Sequence, residues 1–155
     1  MTTPPVGGHP AAGYLARMAN EALVTSVKAI VANARAGKQD EAYAGYRALF
    51  SSPTFRTFEP ADRRQALKIM IHAKGIPSPP TPAVVEAHRA AVEPLTEMVS
   101  THNEPADYEM LGMCHVVLGN EAGAAAVFRA GLAIERERNA QSDLCGALMK
   151  RVSML

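Results

Sequence analysis

The chain predicts an all-α fold, on three observations. Apolar and small residues recur at helical spacing: Tyr108, Leu111, Gly112 and His115 stand at offsets 0, 3, 4 and 7. Glycines at 37, 75 and 119 close such runs, as residues just past a helix end do. Alanine is abundant, aromatics make up 5% of residues and Trp is absent, which suits helices packed through small side chains better than a β-sandwich.

The 155 residues are enough for one domain with a sizeable core. A disordered head is expected over 1–11, which is Pro, Gly and Thr with one His, and a single helical domain over 12–155. The net charge of +1 gives no global drive toward nucleic acid or an anionic membrane. Cys114 and Cys145 lie in no C-x-x-C, so both are expected reduced and buried. The first residues lack a basic start and an apolar run, unlike a secretory signal. No stretch approaches the ~18 apolar residues of a membrane span. The expected location is the cytoplasm.

In order, a helical pattern begins near Ala11 and strengthens after Asn20, an N-cap for EALVTSVKAIVANARA that Gly37 stops. Gln39 to Phe50 follows, with Ala42, Tyr46, Leu49 and Phe50. Pro60 opens a helix to about Lys74, with Gly75 as its stop. Ile76 to Pro82 is a Pro-rich loop. Pro82 starts a helix through Ala87, Ala91, Leu95 and Met98, which Pro94 should kink or shorten. Tyr108 to Leu132 holds two more helices around Gly119, and a last one spans about Asn139 to Val152. Two internal echoes tie the pieces together. Gly37-x4-Ala42-x3-Tyr46-Arg47-Ala48 returns 82 residues later as Gly119-x4-Ala124-x3-Phe128-Arg129-Ala130. Glu59-Pro60-Ala61-Asp62 returns as Glu104-Pro105-Ala106-Asp107, with Asp suited to the positive end of a helix dipole.

The run Tyr108-x2-Leu111-Gly112-x2-His115, then Gly119, then Ala124-x3-Phe128, resembles a tetratricopeptide repeat, whose signature is W-x2-L-G-x2-Y, a turn glycine and A-x3-F. Tyr replaces Trp, His replaces Tyr, and the family's late proline is absent. The resemblance is clear only at 105–136 and partial at 20–51. It implies a right-handed stack of about three helix pairs (20–51, 60–99, 105–136) with a C-terminal capping helix. A plain helical bundle is the alternative architecture.

No sequence signature of catalysis or of a metal site is present: no H-E-x-x-H, G-x4-G-K-[ST], G-x-G-x-x-G or G-x-S-x-G. The reading has no catalytic residue, no metal and no cofactor. In the resembled family the first helix of each pair lines a concave groove. Mapped onto this sequence, the groove set is Lys28 and Arg35, then Arg64, Lys68 and His72 at four-residue steps, then Met110 and Met113. Cations there suit partner carboxylates, and Met suits an adaptable apolar site. A solvated helix face is the competing reading of Arg64, Lys68 and His72. The resemblance implies a non-catalytic adaptor or chaperone for a peptide or helix of another protein, acidic or amphipathic, with the chain a monomer or weak homodimer. The alternatives are a small cytoplasmic chaperone of a bacterial type III secretion system and a self-associating scaffold subunit.

Overall fold

A computed structural model describes residues 11–155. The expected disordered head lies outside these residues, except Ala11, which opens the first helix. The fold is all-α: α1 (Ala11–Ala16), α2 (Glu21–Arg35), α3 (Gln39–Ser51), α4 (Pro60–Ile71), α5 (Pro82–His102), α6 (Pro105–Val117), α7 (Glu121–Asn139) and α8 (Asp143–Ser153). A 3-10 turn, Pro53–Thr57, joins α3 to α4. The described residues contain no strand.

The helix starts have local causes. Asn20, Asn120 and Ser142 each accept a bond at 3.0 Å from the amide three residues on, and Thr81 does so at 3.4 Å. Proline occupies the first turn of α4, α5 and α6, where its missing N–H costs nothing. The helix ends repeat as well. After α2, Gly37 N–H donates to Ala34 and Lys38 N–H to Asn33. After α6, Gly119 N–H donates to Val116 and Asn120 N–H to His115. These are the two bonds of a Schellman turn, and φ values of +81° and +75° explain why glycine holds both places. The echo 82 residues apart is thus a repeated turn as well as a repeated spelling.

α2 packs on α3 and α6 on α7, each across a three-residue turn. Gly112 explains how close α6 and α7 come: a Cβ there would lie 2.3 Å from Phe128 Cε1. The middle pair departs from the pattern. α5 packs mainly on α3 and α6, whereas α4 touches α5 sparsely and packs on α1 and α6. α5 runs its full 21 residues through Pro94, so the proline does not shorten it. α4 ends at Ile71, before the expected Lys74.

The main core runs from α1 to α6 and includes Leu23, Phe50, Phe55, Leu67, Leu95 and Met110. A smaller cluster of Ala124, Phe128, Leu132, Cys145 and Leu148 joins α7 to α8, and Met113 touches both. The outcome is an all-helical, repeat-like fold with α8 packed mainly on α7.

Candidate functional site

The expected groove set does not line one surface. Arg64 and Lys68 share a side of α4 and His72 caps its end, but each is engaged within the chain. Arg64 donates from Nε and a terminal nitrogen to the two carboxylate oxygens of Asp107, both at 2.7 Å. Asp107 is 0% exposed and the Arg64 side chain 20%. The hydrogen bond to Asp107 raises the Arg64 pKa above its usual value. Arg64 is therefore a fastener between α4 and α6, and the expectation of a free groove cation there is corrected.

Lys68 makes no ion pair among the described residues, but its Nζ sits 6.0 Å from the centre of the Tyr14 ring on α1. Burial lowers its pKa, and Arg64 adds to that effect. His72 Nε2 lies 3.9 Å from one oxygen of Glu109, whose other oxygen accepts from Arg151 Nε at 2.7 Å. Burial lowers the His72 pKa against the pull of Glu109, so the ring is neutral at pH 7. The stripe is thus an internal polar seam linking α1, α4, α6 and α8.

The two copies of Glu-Pro-Ala-Asp explain half of that seam. Asp62 and Asp107 hold equivalent places in the first turns of α4 and α6, and both are buried. Asp62 accepts from the amides of Ala19 (2.8 Å) and Asn20 (3.1 Å), where α1 passes into α2. Asp107 accepts from Arg64. Each aspartate reaches a residue 43 positions earlier. Sequence reasoning saw the repeated motif but assigned it to the helix dipole. Burial turned the same carboxylates into cross-links, and their partners were not adjacent in sequence.

The methionines also separate. Met110 is 0% exposed in the main core, so it is corrected from groove residue to packing residue. Met113 is half-buried and lines a cavity of about 150 Å³ with Ile71, His88, Val116 and Arg151. His88 is itself buried, and its Nδ1 donates to the Val84 carbonyl at 2.8 Å, which fixes the tautomer. Burial lowers its pKa, with that hydrogen bond opposing.

Lys28 and Arg35 have a different setting. Both are exposed, and neither is ion-paired among the described residues. They border an open cleft of about 540 Å³ between α1 and α2. Leu15 of α1 and Val24 of α2 make its apolar lining, beside Val31, which is itself only 2% exposed. Sequence reasoning placed Lys28 and Arg35 in a groove but missed its opposing wall, α1. The available signal was Tyr14, Leu15 and Met18, which lie past the Pro- and Gly-rich head.

Cys114 and Cys145 are free and buried, and burial pushes the Cys114 thiol up to about 12, so it is protonated at neutral pH. No described helix is long and apolar enough to cross a membrane. No family model, curated protein or solved structure matches the chain.

Proposed function

We propose that the protein is a non-catalytic interaction module of tetratricopeptide-like build, which docks a segment of another protein in the cleft between α1 and α2. The observation that carries this reading is the pairing of an apolar lining with two cations, Lys28 and Arg35, that nothing in the described chain neutralises. The other groove cations of the sequence reading are engaged internally, or in the case of Lys68 covered by Tyr14. What supports the repeat reading is the Schellman turn used twice and the Gly112–Phe128 interlock.

The test is capture from the source cell with the wild-type chain and with Lys28→Glu/Arg35→Glu side by side. A partner held by the first and lost by the second, with both chains melting alike, is the expected result. Equal capture by both would move the binding site elsewhere.

A second reading, self-association, has its own observation. Met149, Met154 and Leu155 on and beyond α8 are 50%, 74% and 44% exposed. Sedimentation at rising concentration decides between them. An oligomer that survives Lys28→Glu/Arg35→Glu but not Met149→Lys would favour the scaffold.

A further inference from the structure

The shape and charge of the α1/α2 cleft narrow what fits it, granted that it is the docking site proposed above. On α2, Val24, Lys28, Val31 and Arg35 fall at steps of four, three and four, a single stripe of alternating apolar and cationic residues. On α1, Ala12, Leu15 and Ala16 fall at steps of three and one, again one helix face. Two helix faces that border one open cleft can seat a third helix between them. Lys28 and Arg35 are seven residues apart, so their Cα atoms are separated by about 10 Å along the α2 axis. A helix lying along α2 answers both when it carries two carboxylates seven residues apart with apolar residues between. An extended strand would need its carboxylates only about three residues apart.

Neither the sequence of residues 1–10 nor the described helices offer such a segment free. Residues 1–10, which precede α1, contain no Asp or Glu. Among the described helices, the one pair of carboxylates seven apart is Glu86 and Glu93 on α5, and these are already engaged by Arg89 and Arg56. We infer that the cleft takes an amphipathic helix of another protein, bearing two acidic side chains one heptad apart beside an apolar stripe.

The probes are four labelled synthetic helices of 21 residues on one alanine-rich background with the same apolar stripe. The first carries two Glu seven apart, the second has both as Gln, the third has both as Lys, and the fourth is the first with a central proline. Fluorescence anisotropy against the full chain gives the affinities. Exposed ion pairs are individually weak, so the Gln peptide is expected to bind about three- to tenfold less tightly than the Glu peptide. The proline peptide should lose at least as much, and added salt should narrow the gap. Lys28→Glu/Arg35→Glu should invert the order, preferring the Lys peptide, a gain that a misfolded variant cannot show.

Equal affinity for the Glu and Gln peptides would overturn the acidic-helix inference and leave the docking reading standing. Equal affinity for the proline peptide would overturn the helical form of the ligand. Failure of all four to bind would overturn the inference and the α1/α2 docking reading together. A homodimer broken by Lys28→Glu/Arg35→Glu would also overturn it, with a second copy as the occupant.

Discussion

Removing the guanidinium of Arg64 isolates a buried charge, and its cost follows from the geometry. Arg64 makes two bonds of 2.7 Å to a carboxylate that has no exposed surface. Breaking a buried pair by deleting one partner costs about 3–5 kcal/mol, because the remaining charge stays desolvated. One-fifth of the Arg64 side chain reaches water, which admits solvent from that side and places the cost near the low end, about 3 kcal/mol. For a domain of this size each kcal/mol moves the melting temperature by about 2–4 °C, so Arg64→Ala should melt about 6–12 °C lower. Thermal denaturation followed by circular dichroism measures it. The double variant Arg64→Met/Asp107→Leu should recover most of the loss, since an apolar pair of similar volume removes both charges. If Arg64→Ala melts within about 2 °C of wild type, the pair is worth no more than a surface ion pair and the fastener is refuted.

Other outcomes follow from burial and packing. Gly112→Ala should destabilise by about 1–3 kcal/mol, although alanine favours a helix by about 1 kcal/mol, because its Cβ would lie 2.3 Å from Phe128. Phe128→Leu in the same chain should relieve part of that, and an unchanged melting temperature for Gly112→Ala would refute the interlock. His72 and His88 have lowered pKa values, so the folded state refuses protons that the unfolded chain accepts. Stability should be full above about pH 6.5 and fall as pH drops below it, and His88→Gln should flatten that fall in urea melts. An identical slope in His88→Gln would remove His88 from the account. Cys114, buried with its thiol pushed up to about 12, should resist iodoacetamide in the native chain at about pH 8 and react on unfolding. Rapid native labelling at Cys114 would contradict its burial.

Helix positions were legible because periodicity, caps and stops are local. Asn20, Pro60, Pro82, Pro105 and the glycines at 37 and 119 each announce an end in their own residue type. Gly112 was legible as a packing residue, since a mid-helix glycine beside a phenylalanine spacing implies close approach. The site was less legible, because which cation is free depends on the residues that fold against it. Nothing near Arg64 in sequence reveals Asp107, and nothing near His72 reveals Glu109 or Arg151. Met110 and Met113 lie within one turn of each other, yet one is core and the other lines a cavity. α1 was underweighted because six residues after a Pro- and Gly-rich head offer little periodicity.

The backward reach of Asp62 and Asp107 bears on how the chain comes together as it is made. Each partner meets its carboxylate only after about 43 further residues have been added. Until Asp107 emerges, Arg64 has no counter-charge, and until Asp62 emerges, the amides that begin α2 have no acceptor there. A growing chain truncated within α4 or α5 is therefore short of a closing residue, and the starts of α4 and α6 each tie back past the helix that precedes them. Such back-reaching ties couple parts of the chain that a simple stack would leave free to melt piece by piece from its ends.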